Sequence, residues 1–149
     1  MRIAFAADHA GWPLRERVLA TIVELGHEVV DVGAAAVVPG DDYPDVALAV
    51  ATAITTRRAE RAVLVCGSGV GACVAANKIT GIRASMCHDT FSARQGVEDD
   101  DMNVMCLGAR VIGEALAVEL VRAFLGASFS GAERHRRRLE KVAAMERGG

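Results

Sequence analysis

A short segment of the sequence combines a thiol, a hydroxyl and three glycines: Cys66-Gly67-Ser68-Gly69-Val70-Gly71. Glycines let backbone N–H groups converge on an anion, and the N-terminus of a following helix adds a positive field. The same field favours the thiolate of Cys66, which could then act as a base or a nucleophile. Taken alone, the segment is equally typical of a tight turn that buries a cysteine.

The same glycines also fit a cofactor-binding pattern. Gly67, Gly69 and Ala72 match the GxGxxG/A dinucleotide fingerprint, and Asp89 lies near the spacing expected for the ribose-binding acid. However, the following helix is predicted to have only about two turns, which is short for this motif. The fingerprint also normally follows the first strand of its fold, whereas here it follows the third. A nicotinamide site is therefore the weaker alternative.

Three further polar segments could contact a ligand. Asp8-His9 follows an apolar segment and could bind a sugar hydroxyl or a phosphate, although both are ordinary loop residues. The acidic run 98–101 would oppose the dipole of a helix that ends there, and functional sites often break local rules in this way. The alternative is that the run forms a solvated loop. In the basic run 134–138, Arg134 and Arg138 share a helical face and could clamp a phosphate, or simply face solvent.

Composition narrows the class of protein. The 149 residues are 52% hydrophobic and only 4% aromatic, which favours helices packed on a Val-rich sheet within one domain, 1–149. The net charge of -2 argues against nucleic-acid binding, and the longest uncharged run, 62–77, is too short and Gly-rich to span a membrane. Four cysteines without CxxC spacing and no signal-peptide pattern favour free thiols in the cytoplasm.

The chemistry-bearing segments are positioned by alternating strands and helices. Short apolar runs predict strands at 2–7, 27–32, 61–66, 82–87 and 103–107. Helices are predicted at 13–25, 44–57, 89–97, 114–125 and 132–146, with a further short helix between the glycine loop and about residue 77. This alternation is typical of an α/β protein with a doubly wound parallel sheet of about five strands and helices on both faces. In such sheets ligands bind at the carboxyl ends of the strands, near a topological switch point. This rule selects Asp8 and His9 after the first strand, Cys66–Gly71 after the third, and the acidic run 98–101 before the fifth.

Taken together, these segments resemble the type B ribose-5-phosphate isomerase family, which includes the galactose-6-phosphate isomerase subunits. The likeness covers nearly the whole chain and is far more specific than a single glycine loop. The motifs that carry it are Asp8-His9-Ala10-Gly11, Asp42-Tyr43-Pro44, Cys66–Gly71, Ala75-Ala76-Asn77-Lys78, Gly81-Ile82-Arg83-Ala84, Asn103-Val104, Gly108-Ala109-Arg110-Val111-Ile112-Gly113 and Arg134–Arg138.

The resemblance implies a Rossmann-like fold and an aldose–ketose isomerase that needs neither cofactor nor metal. Cys66 would move a proton between C1 and C2 of an open sugar phosphate through a cis-enediolate, and Ser68 would shuttle a proton between the two oxygens. One branch of the family has a Glu base where this chain has Ala72, so the chain follows the cysteine branch. The backbone amides of the loop would hold the developing oxyanion, namely those of Gly67, Gly69, Val70 and Gly71.

The resemblance also implies a homodimer or a dimer of dimers whose active sites are shared between two chains. The C-terminal helix, at about 132–146, would then contact the partner chain. The phosphate would be bound by His9, Arg134 and Arg138, with Arg110 reaching in from the partner chain. Asp8 and Tyr43 would contact the sugar hydroxyls, and Asp100 would lie beside the ring-opening position.

One position departs from the family. Where the family usually has a ring-opening His followed by Asn, this chain has Asp99 and Asp100. A free aspartic acid has a pKa near 3.9, about two and a half units below that of histidine, so at pH 7 it accepts a proton but rarely donates one. Three explanations stand: Asp99 is an acid kept protonated by its acidic neighbours, the substrate is a linear four-carbon sugar phosphate, or ring opening is impaired.

The leading hypothesis is isomerisation of ribose 5-phosphate, with a tetrose or hexose phosphate as the alternative substrate. The alternative hypothesis from a different class of protein is that the chain is a non-catalytic subunit that binds a sugar phosphate. Cys66 argues against that reading, because binding alone would tolerate Ala or Val at the position.

Overall fold

Five short apolar segments form one parallel sheet in the computed structural model, which describes residues 1–148. The order across the sheet is β2-β1-β3-β5-β4, and every neighbouring pair is parallel. The chain therefore reverses its winding between β1 and β3, the position at which ligands bind in sheets of this kind. The strands are β1 (Arg2–Ala7), β2 (Glu28–Asp31), β3 (Arg61–Cys66), β4 (Ala84–Met86) and β5 (Val104–Gly108).

Six α-helices connect and follow the strands within the described residues. Their starts follow local chemistry: Pro44 lies in the first turn of the second helix, and Asp89 caps the fourth by accepting a hydrogen bond from the Ser92 N–H at 2.7 Å. A short 3₁₀ turn, Trp12–Leu14, precedes the first helix. The helices are α1 (Arg15–Glu24), α2 (Tyr43–Thr55), α3 (Val70–Ala76), α4 (Thr90–Asp100), α5 (Glu114–Gly126) and α6 (Glu133–Glu146).

Alternate residues of the central strands fill two separate halves of the core. Ile3 and Phe5 of β1 point to the side covered by α1, α4 and α5, whereas Ala4 and Ala6 point to the side covered by α2 and α3. All four side chains are fully buried, and the small alanines let α2 approach the sheet closely. Burial on both faces explains why these strands are continuously apolar, and it confirms the doubly wound sheet predicted from the sequence.

The main difference from the predicted elements concerns the acidic run. Helix α4 continues past Val97 to Asp100, so the acids lie in its last turn instead of in a loop. Asp101 then ends the helix in the left-handed conformation, with φ of 47°, and its N–H donates to the Val97 carbonyl. Within residues 1–148, no helix has the length and apolar character needed to cross a bilayer.

Candidate active site

A cavity of about 320 Å³ opens at the carboxyl ends of β1, β3 and β5. It brings together polar groups from four separate segments of the sequence, three at strand ends, as the parallel sheet predicted, and one at the start of α2. Of the predicted site residues, eight line it, whereas Gly69 and Val70 do not. The full lining is Asp8, His9, Ala10, Tyr43, Cys66, Gly67, Ser68, Gly71, Arg110 and Val111.

Cys66 lies at the last position of β3 and is 5% exposed, facing this cavity. The Gly69 N–H donates to its sulfur at 3.1 Å, a contact that stabilises negative charge on Sγ. The N–H of Val70 donates to Ser68 Oγ at 3.2 Å. The N–H groups of Gly69 and Val70, expected at the oxyanion, are therefore bonded inside the loop, to the thiol and the hydroxyl that line the cavity.

The glycine loop is held against the segment that follows β5. The N–H groups of Ala109 and Arg110 donate to the carbonyls of Cys66 and Gly67, each at 2.9 Å. These bonds place the guanidinium of Arg110 over Gly67 in its own chain, where a Cβ on Gly67 would lie 3.4 Å from Nη1. Arg110 therefore lines the cavity of its own chain beside Cys66, whereas the resemblance had it reaching in from a partner chain.

Tyr43 closes one side of the cavity by packing on the glycine loop. A Cβ added to Gly71 would lie 2.8 Å from the Tyr43 ring, so only glycine allows this close approach. Tyr43, at the start of α2, thereby lines the same cavity as Cys66.

Asp8 and His9 are positioned differently from each other. Asp8 is 6% exposed, and its Oδ1 accepts from the Gly11 N–H at 2.8 Å, which ties it to the turn after β1. The ring Nδ1 of His9 lies 2.7 Å from Oδ1 of Asp41, and the same oxygen accepts from the His9 backbone N–H at 2.9 Å. Sequence reasoning missed Asp41, because it lies in a loop with no motif that points to His9.

Asp8, His9 and Asp41 also form the one group of three metal-ligand side chains within 4.8 Å of one another that the described part of the chain contains. Their contacts do not suit a cation. At 2.7 Å, an Nδ1 of His9 that donates to Oδ1 of Asp41 has no lone pair left for an ion, and the same oxygen also accepts from the His9 backbone. The arrangement is a hydrogen-bonded pair beside a carboxylate that is already engaged by Gly11.

The remaining predicted residues, Asp99, Asp100, Arg134 and Arg138, do not line this cavity. Asp99 accepts from Gln95 Nε2 at 2.7 Å and lies 3.5 Å from Nε2 of His135, which is 3% exposed. The other ring nitrogen of His135 is 2.6 Å from Ser130 Oγ. The contacts of the Asp99 carboxylate are thus an amide of its own helix and an imidazole of α6.

Arg134 and Arg138 are exposed on α6, and Asp100 is exposed at the end of α4. Within residues 1–148, neither arginine forms a salt bridge, whereas Arg137, between them, pairs with Glu133 at 3.0 Å. Two uncompensated guanidinium groups therefore face outward from the chain.

The thiols other than Cys66 have distinct environments, and all four are free. A hydrogen bond with Cys106 lowers the pKa of Cys73 to about 6. The same bond, together with burial, raises the pKa of Cys106 well above its usual value, and burial raises that of Cys87. Sequence reasoning did not distinguish Cys73, because its partner comes from β5.

The dinucleotide alternative gains nothing from the geometry. Helix α3 has seven residues, as short as predicted. The carboxylate of Asp89 is occupied in capping α4 through Ser92.

Comparisons with known proteins agree with one another. A model of the family described as Ribose/Galactose Isomerase matches residues 3–142. The chain is 41% identical over 145 residues to ribose-5-phosphate isomerase B of Escherichia coli (strain K12), covering 97% of this chain and 96% of that one. It is 40% identical over 131 residues to D-erythrulose-4-phosphate isomerase of Pectobacterium atrosepticum, covering 88% and 86%. A solved structure of ribose-5-phosphate isomerase B from Mycoplasma genitalium with bound ribulose-5-phosphate superposes with a TM-score of 0.92 at 34% identity, covering 99% of this chain and 97% of that chain.

Proposed function

Because the chain belongs to the ribose/galactose isomerase family, we propose that its cavity isomerises ribose 5-phosphate to ribulose 5-phosphate with Cys66 as the base. The chain is an aldose–ketose isomerase of sugar phosphates. The observation that carries the assignment of the base is the placement of Cys66 Sγ at a cavity whose other polar groups suit a hydroxylated anion.

In the proposed reaction, the Cys66 thiolate removes the proton from C2 of the open-chain aldose and returns it to C1. The electron pair moves onto the C1 oxygen, and the resulting cis-enediolate is stabilised by N–H donors of the glycine loop at Gly67 and Gly71. Ser68 transfers the hydroxyl proton from O2 to O1, so that the ketose carbonyl forms at C2. No external acceptor of electrons is required, since one carbon is oxidised as its neighbour is reduced.

At the other end of the substrate, His9 and Arg110 of the same chain would bind the phosphate, with Asp8 and Tyr43 on the hydroxyls. Arg134 and Arg138 face away from their own cavity, so we assign them to the cavity of a second copy, together with Asp99 and Asp100. The site is complete only in a homodimer, or in a dimer of dimers, in which α6 contacts the partner chain. The four free thiols suit a cytoplasmic enzyme.

Mixing two defective variants tests the shared site. Arg134→Ala/Arg138→Ala and Cys66→Ala should each lose about a hundredfold or more in kcat/KM, since charge-assisted contacts and the base are removed. When the two chains are co-expressed, half of the dimers are mixed, and each mixed dimer has one intact site. We expect about a quarter of the original activity to return.

The matched control pairs Cys66→Ala with Arg110→Ala. Both residues line the same chain's cavity, so a mixed dimer contains no intact site and activity should not return. Activity equal to the sum of the separate variants in the first mixture would show that each site lies within one chain.

A second substrate class, linear four-carbon sugar phosphates, is favoured by Asp99. A tetrose 4-phosphate has no free hydroxyl to close a ring, so it needs no ring-opening acid, and a D-erythrulose-4-phosphate isomerase is among the relatives. Both substrates would use Cys66 in the same way. They differ only in whether a ring must first be opened.

Steady-state kinetics on ribose 5-phosphate and D-erythrulose 4-phosphate separates the two. We expect Asp99→His to raise kcat/KM on ribose 5-phosphate by about tenfold or more, because histidine both donates and accepts protons near pH 7. On the linear sugar we expect a change of less than about twofold, since no ring is opened. Asp99→Asn, which preserves the side-chain size but transfers no proton, is the control and should not improve ribose 5-phosphate turnover. Efficient turnover of ribose 5-phosphate by the original chain, with no gain from histidine, would place ring opening elsewhere.

A further inference from the structure

The ring of the cavity residue His9 is hydrogen-bonded to one neighbouring side chain, that of Asp41. We propose that Asp41 is a positioning residue of the isomerase: it fixes the His9 ring so that Nε2 faces the sugar phosphate. The inference rests on the proposed function, because His9 is there assigned to the phosphate. Asp41 itself does not line the cavity, so it would act through His9 and not on the substrate.

The geometry constrains both the backbone and the ring of His9. One oxygen of Asp41 accepts from the backbone N–H at 2.9 Å and contacts Nδ1 at 2.7 Å. The two ring nitrogens lie on different edges of the imidazole, so a ring that donates Nδ1–H to Asp41 presents Nε2 to whatever occupies the cavity. With the backbone also held, little rotation about the side-chain bonds remains.

Burial makes this contact effective. The side chain of Asp41 is 18% exposed, against 38% for that of His9. Water therefore competes less for the carboxylate than for the ring, and the ring remains accessible to a ligand. A carboxylate at this distance also balances the charge of an imidazolium that binds a phosphate dianion.

Asp41 also connects the site to the loop between β2 and α2. Its own N–H donates to the Val38 carbonyl at 3.2 Å, and two residues later Tyr43 packs on the glycine loop. The end of this loop is thus attached to the cavity at two points, His9 and Gly71. The loop conformation and the direction of His9 Nε2 are consequently coupled, so the loop bears on how the phosphate end of the substrate is held.

The test is a double-mutant cycle on ribose 5-phosphate that separates KM from kcat. We expect Asp41→Ala to raise KM by about tenfold with kcat changed by less than about threefold, since a contact to the non-reacting end of the substrate is weakened. Asp41→Asn keeps an acceptor oxygen and should restore KM to within about threefold of the original. In a His9→Ala background, Asp41→Ala should add nothing further, because its effect passes through the missing ring.

Asp42→Ala is the matched control, since this adjacent carboxylate makes no capping hydrogen bond to α2, and its KM should stay unchanged. Thermal unfolding of each variant shows whether it is folded, and Asp41→Ser replaces Asp41→Ala if the latter does not fold. An equal rise in KM in both His9 backgrounds, or no rise at all, would overturn the positioning role. If His9→Ala itself leaves KM unchanged, the phosphate contact assigned under the proposed function fails as well, whereas a rise for His9→Ala alone would overturn only the role of Asp41.

Discussion

Cys66→Ala is expected to lower kcat by about a thousandfold on both ribose 5-phosphate and D-erythrulose 4-phosphate. A positioned base accelerates a proton transfer by roughly 10²–10⁴-fold. In this cavity the Cys66 thiol is the side chain that accepts a hydrogen bond from the Gly69 N–H. The loss should appear in kcat more than in KM, because in the proposed reaction the thiol acts on the reacting carbons and not on the phosphate. Steady-state isomerisation assays with both sugars measure it.

Cys87→Ala is the matched control, because this thiol is equally buried but lies outside the cavity. Its kcat should change by less than about twofold, even if the small cavity that it leaves lowers stability by about 1 kcal/mol. Retention of a tenth or more of the original kcat by Cys66→Ala would remove Cys66 from the role of base.

Thiol labelling measures the reactivity of Cys66 independently of turnover, and it requires a Cys73→Ser background. With a pKa of about 6, Cys73 is mostly thiolate at pH 7 and should react with iodoacetamide at a rate that rises through pH 6 and then levels off. Once Cys73 is removed, labelling should fall on Cys66, which lines the cavity, ahead of Cys87 and Cys106, which do not line it, and ribose 5-phosphate should protect Cys66. Equal, slow labelling of all three remaining thiols would contradict an activated Cys66.

Gly11→Ala is expected to have the largest effect on stability, lowering the free energy of unfolding by about 3 kcal/mol. A Cβ at this position would lie 2.2 Å from the Val65 carbonyl oxygen and 2.9 Å from the Cys66 backbone nitrogen. All the nearest atoms belong to the backbone of β3, which cannot move aside without shifting the Cys66 thiol. Activity should therefore fall together with stability, which chemical denaturation and kinetics on the same preparation would show.

Gly113→Ala separates this steric effect from the general cost of replacing a glycine. Gly113 precedes α5 with φ of -95°, and an added Cβ would meet no atom within 4 Å. We expect a change of less than about 0.5 kcal/mol and unaltered kcat. If Gly11→Ala were as mild as Gly113→Ala, the close approach of the turn to β3 would not be a determinant of the site.

The pattern of hydrophobic residues was enough to predict most of the fold. Strands buried on both faces must be continuously apolar, so β1 and β3 were predicted at their observed bounds. The ends of elements were less predictable where hydrogen bonds from distant residues decide them. Helix α4 continues through its acidic last turn, where Gln95 donates to Asp99 and His135 of α6 lies beside it.

The sequence by itself determined which segments meet at the carboxyl edge of the sheet, because parallel strands place the residues that follow them on one side. That argument brought Asp8, His9 and the Cys66 loop together. Only the tertiary structure decided which side chains contact each other there. Asp41 lies 32 residues from His9, and Arg110 is held over Gly67 by backbone pairing with the glycine loop, so neither partner is encoded in local spacing. The direction of a side chain depends on how the whole sheet and its helices pack, so it cannot be predicted from the spacing of residues along the chain.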